Sequence, residues 1–142
     1  MAREEFEDIV ETFEFLDDWE DRYRHVIELG KAMPELDDAQ KSSLTKVDGC
    51  VSQVWIVPSV SGEGAGRRLS FVGDSDAMIV KGLIAILRAL LDGETTAVIR
   101  ATDVAAELGR LGLDQHLSAQ RSNGLKAMVA RLKGLAEAAA DS

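Results

Sequence analysis

Cysteine is nearly absent: the 142-residue chain holds one, Cys50. A single thiol cannot close an intramolecular disulfide, so the fold must be stable without one, and with His25 and His116 as the only histidines no recognised zinc spacing exists. Basic residues are short as well, 16 Lys plus Arg against 25 Asp plus Glu, for a formal charge of −9. A phosphate backbone would be repelled, which argues against nucleic acid as a partner. The same acidity points to a protein partner with a basic docking area. No apolar run is long and uncharged enough to span a bilayer, and no repeat or low-complexity block interrupts the pattern. The opening MAREEFEDIV puts acids where a secretory signal needs apolar residues and a transit peptide needs basic ones, so a cytoplasmic address is expected. The length suits one domain, residues 1–142, able to bury a core unaided.

What remains is patterned. Phe6, Ile9, Val10 and Phe13 recur at helical spacing and predict a short amphipathic helix. Asp17 and Asp18 offer an N-cap to a second helix over 18–32, with Trp19, Tyr23, Val26, Ile27 and Gly30 on one stripe and Pro34 closing it. The period then changes. CVSQVWIVPSV reads as a strand entered through a two-residue Asp48-Gly49 turn, and RRLSFVG as its antiparallel partner across the glycine-rich SGEGAG. DSDAMIVKGLIAILRALLDG predicts a central helix that polar residues cap and Gly93 stops, with Lys81 and Arg88 on a solvent stripe. One or two short helices are expected over 95–115, then a long helix capped by Ser118 and striped by Leu125, Met128, Val129, Leu132 and Ala136. The order predicts an α+β domain, helices packed around one face of a small antiparallel sheet of two or three strands.

The thiol has two readings. Cysteine commonly acts as a small buried hydrophobe, but an Asp-Gly turn would put Cys50 at the start of a strand, at a loop tip another molecule can approach. Backbone amides freed by the turn favour a thiolate; apolar cover from Val51 opposes it. A cysteine hydrolase or peroxidase would need His25 or His116 as base, and that stands as the alternative. Trp19 and Trp55 read as core anchors. Asp74, Ser75 and Asp76 read as helix caps rather than cation ligands. The GEGAG segment is no phosphate loop, since neither a helix nor Lys-Ser/Thr follows it.

Four stretches in order, DRYRHVIELGKAMP, KVDGCVSQVWIV, FVGDSDAMIVKGLIAIL and LGLDQHLSAQRSNGLKAM, resemble the SufE family of sulfur acceptors and their CsdE relatives. The second is decisive, because the family's sulfur-carrying cysteine lies in a Gly-Cys-Gln-Ser-x-Val-Trp context that Cys50 shares, with Val51 in place of the glutamine. The resemblance implies a fold shared with the U-type cluster scaffolds. It implies that Cys50 receives persulfide sulfur from a pyridoxal-phosphate cysteine desulfurase of the SufS or CsdA type, stimulates that enzyme, and passes the sulfur to a SufBCD-type scaffold. The pyridoxal phosphate is then the partner's, and the chain is a carrier and activator with no cofactor of its own. Gly49 would be a hinge, and Asp74 and Arg121 would position the cysteine loop. One thiol can carry sulfur but cannot supply the several ligands a cluster needs.

Overall fold

A computed structural model describes residues 2–49 and 52–141, so Cys50 and Val51 lie outside the described residues. Helix α1, Ala2–Phe15, buries Phe6, Ile9, Val10 and Phe13, the stripe expected from their spacing. Helix α2, Trp19–Lys31, begins where the Asp18 carboxylate accepts a hydrogen bond from the Glu20 amide at 3.0 Å. Strands β1, Val54–Ser61, and β2, Arg68–Ser75, form an antiparallel hairpin, and the two-residue β3, Glu94–Thr95, adds to the far side of β2. Between β2 and β3 runs α3, Met78–Leu91, whose ten buried residues make it the centre of the core.

Val54, Ile56, Leu69, Phe71 and Gly73 are buried while Trp55, Val57, Ser70 and Val72 between them are half-exposed, so one sheet face meets the core. β1 is the sheet edge, and Pro58 within it breaks no ladder bond. The Ile56 amide points outward to the Thr45 carbonyl at 2.8 Å, so Pro58, two residues on, also faces away from β2.

Helices α1 and α2 pack on α3, and the α2–α3 crossing has no room for side chains. A Cβ built at Gly30 would sit 2.6 Å from the Gly82 nitrogen, and one at Gly82 would sit 2.5 Å from Val26 Cγ1. The chain continues through three short helices, α4 (Thr96–Ala101), α5 (Val104–Gly109) and α6 (Leu113–His116), one more than the sequence suggested. Thr95 caps α4 and Asp103 caps α5. Gly112, at φ +73, turns the chain so sharply that α5 and α6 cannot merge. Helix α7, Ala119–Asp141, then lays Leu125, Met128, Leu132 and Ala136 into the core.

Three expectations need correction. Lys81 and Arg88 do share a face of α3, but it is not a solvent stripe: Arg88 Nε donates to the Phe71 carbonyl at 3.0 Å and Lys81 pairs with Asp74. Trp55 is half-buried outside the core, with the Lys41 ammonium 5.2 Å from its ring, whereas Trp19, also half-buried, does pack against the core and carries His116 stacked on it at 3.8 Å. Asp74, Ser75 and Asp76 do not cap α3 in the expected way. The N-cap position is Ala77, and only Ser75 Oγ serves nearby, accepting from the Ala77 amide. The carboxylates are drawn elsewhere by groups far off in sequence.

Candidate functional site

The stretches on either side of residues 50–51 pair with each other along the free edge of β1. Lys46 bridges Trp55, and the Val47 amide donates to the Val54 carbonyl at 2.8 Å. Residues 48–53 therefore separate the paired Val47 and Val54, and β1 begins only at Val54, after Ser52 and Gln53. The expected strand is thus corrected at Ser52 and Gln53, and Cys50 itself lies outside the described residues. The reason is register: Ile56 bonds to Thr45 and Val54 to Val47, which leaves more chain between the paired residues than an Asp-Gly turn consumes. Gly49 nevertheless has the left-handed backbone read from the Asp-Gly pair, φ +92, and an added Cβ there would lie 3.3 Å from that of Ala127 on α7.

Both flanks of this loop are tied down by residues the sequence reading had not assigned to it. On the near side Arg131 of α7 donates to the carbonyls of Leu44, at 2.6 Å, and Lys46, at 3.3 Å. On the far side Asp76 forms a two-bond clamp, its Oδ1 accepting from the Gln53 amide at 3.0 Å and its own amide donating to the Gln53 carbonyl at 3.3 Å. Asp76 was visible in GDSDA only as one more capping residue. We expect Asp76→Ala to remove the side-chain half of the clamp at a cost of about 1 kcal/mol, about a fivefold rise in the open population of the loop. Amide exchange at Gln53 and alkylation of Cys50 should both accelerate by about that factor; unchanged rates would mean the clamp does not hold the loop.

Beyond Ser52 lies a cavity of about 310 Å³ bordered by Ala77 and Val80 at the start of α3 and by Ser118, Gln120, Arg121, Gly124 and Met128 at the start of α7. Arg121 is thus beside the loop's far flank, its side chain exposed.

Asp74 occupies a different position. It is 4 % exposed, opposite Trp55 in the sheet, and its carboxylate accepts from the Ser75 amide at 2.8 Å and the Leu36 amide at 3.5 Å. Lys41 and Lys81 approach it at 3.5 and 3.4 Å. It anchors the 36–41 segment, which leads into the cysteine hairpin, to the end of β2. Burial works to raise its pKa, but the Ser75 amide, the Lys81 charge and the Leu36 amide outweigh burial and hold it below the ordinary 3.8. A carboxyl depressed on folding stabilises the fold above its unfolded pKa and loses that contribution as pH falls through the folded value. Asp74→Asn should therefore cost about 1–3 kcal/mol at pH 7, and the gap should close as the pH drops below 3.8. Urea unfolding at both pH values checks this, and a pH-independent gap would assign the loss to packing.

The histidines are elsewhere. His25 lies 6.0 Å from the Phe13 ring, and His116 stacks on Trp19 while its carbonyl accepts from the Tyr23 hydroxyl. Neither borders the cavity next to Ser52. Among the described residues no helix is long and apolar enough to cross a membrane.

An α+β domain with tethered flanks on both sides of residues 50–51, and a cavity at Ser52 between two helix starts, matches known proteins throughout. The family model SufE, described as an Fe-S metabolism associated domain, matches residues 7–136. The chain is 48 % identical over 129 residues to an uncharacterised SufE-like protein of Rhizobium meliloti (strain 1021), covering 91 % of this chain and 92 % of that one. It is 51 % identical over 125 residues to a SufE-like protein of Rhizobium etli, covering 88 % and 84 %. The solution structure of a hypothetical protein from Thermus thermophilus superposes with a TM-score of 0.72 at 25 % identity, over 100 % of both chains. The fold and these matches define a domain of Fe–S metabolism. The chain belongs to the SufE family.

Proposed function

We propose that this protein is a sulfur acceptor: Cys50 takes sulfane sulfur from the persulfide of a pyridoxal-phosphate cysteine desulfurase, stimulates that enzyme, and delivers the sulfur to a cluster scaffold. The observation that carries the reading is the mounting of the cysteine loop, tied to α7 by Arg131 and to the start of α3 by Asp76, with a positive-φ glycine immediately before the thiol. Flanks tethered in this way need only a few bonds broken for the segment between them to extend.

The chemistry is exchange without net oxidation. The Cys50 thiolate attacks the outer sulfur of the donor persulfide, a new S–S bond forms at Cys50, the donor's S–S bond breaks, and its electron pair leaves on the donor thiolate. No metal or organic cofactor of this chain enters the step, and the pyridoxal phosphate acts on the donor's side. Gly49 supplies the hinge. Asp74 and Arg121 position the loop's two sides, the first through the 36–41 segment and the second at the cavity next to Ser52. Val51 stands where the family context has glutamine, so no side-chain amide is available from that position to the sulfur. The hydrolase or peroxidase alternative is disfavoured by the histidines, which are engaged with Phe13 and Trp19.

The test is the intact mass of the protein after incubation with a cysteine desulfurase from the same organism and free cysteine. A reducible gain of one or more sulfur atoms, absent from Cys50→Ser, is expected. No gain, with the desulfurase active and bound, would overturn the relay.

A further inference from the structure

A second cavity, of about 270 Å³, opens between α5, α6 and α7 and shares no lining residue with the one at Ser52. The two lie on opposite faces of α7: Arg121, Gly124 and Met128 border the first, Ser122, Leu125 and Val129 the second. The second wall is almost wholly aliphatic. Val104 and Leu108 of α5, Leu113 and Leu117 at either end of α6, and Leu125 and Val129 of α7 make up most of it, and the only polar side chains in its described lining are Ser122 and Lys126.

The recess is held open by bonds at both ends of α5. Lys133 of α7 donates to the carbonyls of Arg100 and Thr102, just ahead of α5, at 3.1 and 2.6 Å. Arg110, just past α5, forks onto Glu7 of α1 at 2.6 and 2.8 Å. With α5 fixed in this way it does not close onto α7, and a pocket already open costs a ligand little ordering.

The distribution of apolar surface separates a small ligand from a protein. Among the described residues the large apolar side chains that stand out into solvent are Phe15, Leu44, Val60, Met78 and Val98, and none of them borders this cavity. A protein docking site would spread apolar area outward around the recess, whereas here that area faces inward. Size narrows the class. An apolar cavity of about 150 Å³ accommodates benzene, so about 270 Å³ accommodates a body of about ten heavy atoms. Charge narrows it further. Lys126 is exposed, borders the cavity and makes no ion pair among the described residues, and Ser122 lies four residues before it, on the same face of α7.

We propose that this cavity binds an aliphatic monocarboxylate of about eight to ten carbons, its chain among the leucines and valines and its carboxylate on the Lys126 ammonium and the Ser122 hydroxyl. The site is independent of the sulfur-acceptor reading, because Cys50 takes no part in it.

Sodium octanoate titrated into the full chain, followed by calorimetry and by methyl NMR, tests the site. Saturable one-to-one binding is expected, with a negative heat-capacity change and shifted methyl signals centred on Leu113, Leu117 and Val129. Lys126→Gln, at an exposed position, should leave the fold intact and weaken octanoate about tenfold, while 1-octanol should bind both proteins alike. Val129→Phe should fill the cavity and remove saturable binding of both probes, with a melting curve to show that the domain still folds. Cys50→Ser should bind octanoate as wild type does. If wild type shows no saturable octanoate binding, or shows shifts scattered over its surface, the ligand site is wrong and the recess is left to a side chain of a protein partner. Equal octanoate affinity in wild type and Lys126→Gln would overturn the carboxylate assignment.

Discussion

Gly82→Ala should unfold or severely destabilise this protein, by about 3 kcal/mol or more, a large part of the roughly 5–15 kcal/mol typical of a domain. In an exposed helix the same exchange stabilises, because alanine is the better helix former by about 1 kcal/mol. Here α2 and α3 cross with backbone against backbone, and the new methyl would fall within contact distance of the Val26 carbonyl oxygen and 2.5 Å from Val26 Cγ1. Neither obstacle can swing aside, since one is main chain and the other a β-branched group on a fully buried residue. The helices must separate, which opens the contacts of Val26 and Leu83 and disturbs the platform on which the hairpin sits. Gly134 on α7 provides the control: a Cβ there meets nothing within 4 Å, so Gly134→Ala should gain about 0.5–1 kcal/mol. Thermal unfolding of the two variants should thus move in opposite directions, with Gly82→Ala lower by about 10 °C or more.

The difference between those glycines marks what the sequence could and could not convey. Helical periodicity located α1, α2, α3 and α7, because each buries one stripe against a common core and the stripe is written locally. The β1–β2 hairpin was legible for the same reason, with two β-branched runs and a glycine-rich link. Gly30 could be seen on the α2 stripe, but nothing near Gly82 announces that the two meet. The cysteine loop was half legible. Asp48-Gly49 correctly signalled a positive φ, yet the length of the connection is set by the pairing of Val47 with Val54, and its anchoring by Asp76 and by Arg131, 85 residues beyond Lys46. Asp74 was misread as a cap for a related reason. Its partners Leu36, Lys41 and Lys81 come from three separate segments, and a carboxylate at the foot of a helix reads as a cap until those partners are known. The net charge of −9 comes mostly from residues 2–31, which make up α1, α2 and their connection and hold eleven acidic and four basic side chains, so it says little about the residues that flank the loop.

Cys50→Ser should take sulfur uptake to zero and, with it, most of the stimulation of the desulfurase. The substitution replaces one small side chain with another in a loop whose described anchors, Arg131, Asp76 and Gly49, do not depend on the thiol, so folding should be unaffected. Serine cannot substitute chemically. Its hydroxyl stays protonated where a thiol ionises, and it is a far weaker nucleophile toward a sulfane sulfur. Stimulation should follow uptake if the donor's slow step is discharge of its own persulfide, because an acceptor that cannot attack leaves the donor charged. The variant should still bind, and at high concentration should compete with wild type and inhibit the reaction it no longer serves. Steady-state turnover measured against increasing Cys50→Ser, at fixed wild type, reads this directly. A decline to the unstimulated rate supports covalent relay through Cys50. If the variant stimulates as fully as wild type while taking up no sulfur, docking alone activates the enzyme and the thiol is not the cause of the rate increase.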